Sequence, residues 1–151
     1  TLLREMLKHP FLRRKPPKST GREEFGQAYS EWLGQKSRKR GLAPRDMVAT
    51  VPAFTVRTIA DAYRRFLPAM PDEMVLAGGG AHNRTLVRML RRELTAVKIR
   101  TTDEFGIDVD AREAVAFAVL AWATICGTAT NVPSATGAAA PVVLGKIVPG
   151  R

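Results

Sequence analysis

The sequence predicts an α/β fold, and three observations lead there. Two short segments, the apolar run Met74-Val75-Leu76-Ala77 and Val97 to Arg100, have the length of strands. They alternate with longer segments whose apolar residues recur at helical spacing, the pattern of helices packed on a sheet. The whole chain has the size and composition of one ordinary domain, with 151 residues, 45% hydrophobic and 25% charged.

Leu2, Leu3, Met6 and Leu7 predict a first helix that Pro10 stops near His9. RRKPPK (13–18) is a stiff basic connector, because its two prolines fix φ and remove two donors. Thr20 with Glu23 has the spacing of a capping box, so a helix is expected to begin there. Its apolar face is Phe25, Ala28, Tyr29, Trp32 and Leu33; Gly34 is expected to end it, leaving QKSRKR (35–40) as a charged surface loop. Pro44 suits the first turn of another helix, which Pro52 interrupts or restarts. Val56, Ile59, Ala60, Tyr63, Phe66 and Leu67 carry its stripe onward to Pro68 and Pro71.

The run 74–77 reads as a strand buried on both faces. Gly78-Gly79-Gly80 follows directly, then Asn83 as an N-cap. The next helix turns Leu86, Val87, Leu90 and Leu94 inward and Arg84, Arg88, Arg91 and Arg92 outward. After the second strand comes an acidic turn, Asp103 to Asp108, around Gly106. Asp110 and Glu113 are a cap-like pair opening a helix from about Ala111 to Cys126, apolar nearly all round and so expected in the core. Residues 131–141 read as a loop, and Val142-Val143-Leu144 with Ile147-Val148 as a last short strand.

Composition excludes several classes. One cysteine, Cys126, rules out an internal disulfide, suits a reducing compartment and reads as a buried small hydrophobe. His9 and His82 cannot build a zinc site with it, so no metal site is expected. The longest apolar run, Ala114 to Cys126, is shorter than the roughly 20 residues that span a bilayer, so no membrane partner is expected. Lys and Arg number 24 against 14 Asp and Glu, a net charge of +10 that raises a polyanion-binding reading. The chain begins at Thr1 and not at Met, which suggests a piece of a longer protein.

The feature richest in chemistry is the strand, Gly78, Gly79, Gly80 and the helix capped by Asn83. Without Cβ atoms a ligand can lie directly on the backbone, and a helix N-terminus favours phosphate. A plain Gly-rich turn between strand and helix is the competing reading. Neither the P-loop nor the dinucleotide fingerprint is present.

VLAGGGAHN (75–83) resembles the adenosine motif of the actin, Hsp70 and sugar-kinase ATPase superfamily. HPFLRRKPPKSTGREEFG (9–26), TTDEFGIDVDAREAVAFAVLAW (101–122) and NVPSATGAAAPVVLGKIVPG (131–150) are similar, in the right order, to the anhydro-N-acetylmuramic acid kinases of bacterial cell-wall recycling. The resemblance implies that residues 1–151 are the C-terminal, ribonuclease-H-like lobe of a two-lobed sugar kinase, with the N-terminal lobe absent. It implies ATP and Mg²⁺ as cofactors and phosphorylation of 1,6-anhydro-N-acetylmuramic acid with hydrolytic ring opening to N-acetylmuramic acid 6-phosphate. It further implies a bacterial cytoplasmic setting and a homodimer. The general base and the phosphate loop belong to the other lobe, so no catalytic residue is expected in this chain and the piece alone should be inactive.

Residue by residue, the resemblance assigns Gly78, Gly79 and Gly80 to ATP, with Asn83 either a ligand contact or only a helix cap. Lys18 reaches phosphate or belongs to a basic linker. Glu113, within REAVAFA (112–118), faces the sugar or only pairs with Asp110 as a cap. His82 is open between loop and site roles. Asp103 and Glu104 read as turn residues, not paired catalytic carboxylates. Two alternatives stand beside the kinase: a nucleic-acid-binding module, and a kinase of the same superfamily for another sugar. The scatter of the arginines and only 7% aromatic residues argue against the first. The matches at both ends of the chain argue against the second.

Overall fold

A computed structural model describes residues 1–150. Its spine is one helix. Pro44 to Phe66 forms α4, with Pro44 at the first helical position, where a missing N–H leaves no bond unmade. The helix runs through Pro52 without a break, contrary to the expected interruption. Proline at 52 deprives the Val48 carbonyl of its donor, and Val48 is 65% exposed, so water can replace that bond.

Residues of α4 serve two apolar clusters. Phe54 packs with Leu2 and Met6 of α1 (Leu2–Met6) and Leu33 of α3 (Gln27–Lys39). Phe25, Tyr29 and Trp32 complete that cluster, with Phe25 and Tyr29 in an edge-on pair, centroids 5.1 Å apart. Burial of Tyr29 pushes its phenol pKa up. Further along, Val56 and Ala60 pack with Met74, Leu90, Leu94, Val97 and Ile99.

The expected helix beginning at Thr20 differs in both start and end. Gly21, not Thr20, precedes the first turn α2 (Arg22–Phe25), and the Glu23 carboxylate caps the Gly21 amide at 2.6 Å. A break at Gly26 separates α2 from α3, which then passes through Gly34 as far as Lys39. Gln35 to Lys39 is therefore helical and not a loop. Ser37 is buried there, and a glycine with good packing on either side is tolerated within a helix. Ala28, expected on the apolar face, is exposed.

The sheet has two parallel strands, β1 (Glu73–Leu76) and β2 (Lys98–Thr101), with Met74 opposite Ile99. They are joined by α5 (Arg84–Glu93) in a β-α-β unit. Met74 and Ile99 face α4 and α5 and are buried, but Val75, on the opposite face, is 46% exposed. The expectation of a strand covered on both sides is thus met on one side only. Period-2 alternation sends successive side chains to opposite faces, and only one layer of helix lies on this sheet. The arginines of α5 point outward, and Leu90 and Leu94 inward, as the helical spacing predicts.

The largest departure is α6 (Arg112–Ile125). Of its residues only Ala123 is buried; Phe117 is 68%, Trp122 64% and Ile125 74% exposed, so the helix lies outside the core. Cys126, which follows it, is exposed too. A helix apolar all round needs cover on every side, and the tail lies along only part of this one. Phe117, Leu120, Thr124, Leu144 and Ile147 line a groove of about 510 Å³ between the two. The strand expected at 142–148 does not form: residues 141–150 run without regular structure. Asn131 clasps that tail by donating to the Ala140 carbonyl and accepting from the Val142 amide, after the single turn α7 (Pro133–Thr136). No described helix is long and apolar enough to cross a membrane.

Candidate functional site

The glycine loop leaves the carboxyl end of β1. Gly78 takes φ 74° and ψ 179°, a region essentially reserved for glycine, and this turns the chain out of the sheet. Gly79 to His82 then closes a 3-10 turn, with the Ala81 amide donating to the Gly78 carbonyl at 2.9 Å. A Cβ built on Gly78 or Gly79 would meet nothing within 4 Å, whereas one on Gly80 would touch Leu86 at 3.8 Å. The bare face of the first two glycines is open, as a backbone platform for a ligand requires.

Asn83 caps α5. Its Oδ1 accepts from the Thr85 amide at 3.1 Å and the Leu86 amide at 3.0 Å. Two of the amides that sequence reasoning offered to a phosphate are therefore taken by this side chain. The open part of the site is the glycine backbone itself.

A second loop is tied to the first. The Gly78 amide donates to the Val109 carbonyl at 2.7 Å, while the Val109 amide donates to the Asp103 carboxylate at 3.1 Å. Val109 is buried between these bonds. His82 Nε2 lies 2.9 and 3.0 Å from the two oxygens of Asp110. In the tautomer that carries its proton on Nε2, the imidazole donates to both of them. Asp110 thus pairs with His82 and does not cap α6, whose N-cap is Ala111 without a side-chain bond. Glu113 sits in the exposed first turn of α6, three residues beyond Asp110 and free of the capping duty that its spacing suggested.

Asp103 and Glu104 have structural work, as the turn reading holds. The reciprocal capping box of this chain is Thr101 with Glu104, in the 3-10 turn Thr102 to Phe105. The Arg100 guanidinium donates to Glu104 at 2.9 Å and, with the Thr101 amide, holds its carboxyl below the usual range.

Lys18 lies in another part of the molecule. Its ammonium is 3.5 Å from the Phe11 and Leu12 carbonyls and sits over the Phe11 and Phe66 rings. Among the described residues, no hydrogen bond or ion pair joins it to the glycine loop. Sequence reasoning missed the pairing of His82 with Asp110 and the bond from Gly78 to Val109. The only local signal was an aspartate three residues before Glu113, and it read as a cap. No group of three or more His, Cys, Asp or Glu among the described residues could hold a metal ion.

Strand, glycine loop and capped helix in a parallel β-α-β unit place this chain among α/β proteins. More narrowly, the chain belongs to the anhydro-N-acetylmuramic acid kinase family, whose model matches residues 1–150. It is 46% identical over 147 residues to the anhydro-N-acetylmuramic acid kinase of Caldanaerobacter subterraneus subsp. tengcongensis, covering 96% of this chain and 37% of that protein. The proteins of the same name from Gloeobacter violaceus and Salinibacter ruber are 48% and 43% identical, covering 97% and 99% of this chain and 38% of each relative. The chain therefore spans between a third and two fifths of the length of the curated relatives it matches.

Proposed function

We propose that this chain is the C-terminal lobe of an ATP-dependent kinase that phosphorylates O6 of 1,6-anhydro-N-acetylmuramic acid while water opens the anhydro ring. The product is N-acetylmuramic acid 6-phosphate, an intermediate of peptidoglycan recycling. The observation that carries this reading is the open backbone of Gly78 and Gly79, at the end of a parallel strand, in a chain of this family.

In this reading the nucleoside of ATP rests on Gly78, Gly79 and Gly80, where a side chain would stand in its place. Asn83 acts by holding the first turn of α5 against the loop, since its carbonyl oxygen is already occupied by two amides. Glu113 accepts hydroxyl hydrogens of the sugar, a role suited to an exposed carboxylate at a helix start. ATP supplies the γ-phosphoryl group, and Mg²⁺ neutralises its developing charge. In this reading the metal ligands and the general base belong to the rest of the kinase. Lys18, engaged by two carbonyls, stays outside the phosphate site of this proposal.

The uncovered apolar face of α6 supports a missing lobe that packs there, because exposed patches of this kind mark contact surfaces. The bacterial cytoplasm, where the recycled sugar and ATP meet, is the proposed location, and a homodimer the proposed assembly. Arg57, Arg64 and Arg100 are engaged with Glu93, Glu73 and Glu104, so these three guanidinium groups are already paired within the chain. The test uses the full-length protein with ATP, Mg²⁺ and the anhydro sugar. Mass spectrometry should show the sugar gaining one phosphoryl group and one water. Unchanged sugar with a folded protein overturns the proposal.

A further inference from the structure

The bridge between the glycine loop and α6 lies outside every role assigned above. His82 ends the 3-10 turn that carries Gly79 and Gly80, and Asp110 stands two residues before the first residue of α6. Their side chains meet at 2.9 Å across 28 residues of sequence. Beside them the Gly78 amide meets the Val109 carbonyl, so the two loops touch at two successive points. One is a backbone bond to a buried residue, Val109, and is rigid. The other is made by two exposed side chains and can open without disturbing the core.

This pairing has a directional consequence. Loop residues 78–80 form one wall, and Glu113 lies one turn into the helix that Asp110 precedes. A ligand on the glycine backbone lies beside the turn that ends at His82, whose side chain meets Asp110. The Asp110 amide donates to the Asp108 carboxylate at 2.8 Å, which holds the turn, and the chain enters α6 two residues later.

We propose that His82 and Asp110 are a positioning pair that couples the seating of the nucleoside triphosphate on the glycine loop to the seating of the sugar at Glu113. The inference rests on the nucleotide and sugar assignments of the kinase reading. Neither residue touches the reacting atoms; the pair holds the two ligand walls in register. Coupling of this kind is reciprocal: the sugar must tighten the nucleotide by the same factor that the nucleotide tightens the sugar. An exposed side-chain contact sets the scale, so the pair should contribute a factor of about two to five.

The experiment measures, by calorimetry on the full-length protein, the Kd of a non-hydrolysable ATP analogue with and without saturating anhydro sugar. The ratio of the two values is the coupling factor. In His82→Ala and in Asp110→Ala the ratio should fall toward one by about two- to fivefold, with no further fall in the double variant. His82→Gln, whose amide can still donate to Asp110, should restore much of it. A merely structural role would lower stability or weaken both affinities and leave the ratio unchanged, and that result overturns the proposal, as does a wild-type ratio of one. Failure of the wild-type protein to bind the analogue at all is a distinct outcome, because it removes the underlying nucleotide assignment as well.

Discussion

Gly78 and Val109 exchange a short backbone bond, amide to carbonyl at 2.7 Å, that joins the loop after β1 to the turn before α6. The bond requires Gly78 at φ 74° and ψ 179°, where a Cβ is strained although nothing crowds it. Gly78→Ala should therefore destabilise the chain by about 1–3 kcal/mol. Gly79→Ala, at a position with open space and no left-handed φ, should cost about 1 kcal/mol or less. Urea denaturation of the two variants checks the contrast, and equal losses would remove the conformational explanation.

Gly79→Val separates ligand space from folding. The added side chain points where no protein atom lies within 4 Å, so the fold should persist. In the full-length protein the affinity for ATP should drop at least tenfold, about 1.4 kcal/mol. Calorimetry measures it, and unaltered affinity in a folded variant moves the nucleotide elsewhere.

Asn83→Ala removes the acceptor shared by the Thr85 and Leu86 amides and should cost about 1 kcal/mol, while Asn83→Asp should retain stability. Thermal melts of the three proteins give the comparison. Asn83 was legible in the sequence because an N-cap is a local device, written in one residue and the helix that follows. The His82 and Asp110 contact was not, because 28 residues separate the partners and no local spacing rule reaches that far.

Glu93, at the last position of α5, receives Arg57 and Arg64 of α4 at 2.9 and 2.8 Å. These two guanidinium groups, Arg64 foremost, hold its carboxyl below the ordinary value of 4.5. A depressed folded-state value means that the ion pairs stabilise the protein above the unfolded carboxyl range and lose that contribution as pH falls through the folded value. Glu93→Gln should thus cost about 1 kcal/mol near neutral pH. The difference from wild type should shrink progressively below about pH 4.3, where the unfolded glutamate gains its proton. Chemical denaturation of both proteins at a series of pH values tests the sign.

The two tryptophans report on the uncovered helix. Trp122 is largely exposed on α6, whereas Trp32 is half-buried against Tyr29. Acrylamide should quench Trp32→Phe, which retains Trp122, more steeply than Trp122→Phe. In the full-length protein the steep component should weaken if a second lobe packs on α6. Equal quenching in both variants of this chain would place Trp122 under cover.

By itself the sequence determined the elements whose causes are local: strands at 74–77 and 97–100, each within a residue of those observed, the glycine loop, the capped and arginine-faced α5, and the family to which the quoted motifs belong. Apolar periodicity, caps and turns act within a few residues of one another, so they can be read from neighbours in the chain. Only the tertiary structure decided which apolar faces found a partner. Met74 is buried while Val75 is exposed, and α6, the most apolar helix, lies open, because burial depends on what packs opposite and not on the hydrophobicity of the segment. The same long-range packing brought Gly78 to Val109 and His82 to Asp110, and so placed the glycine loop beside the helix that carries Glu113.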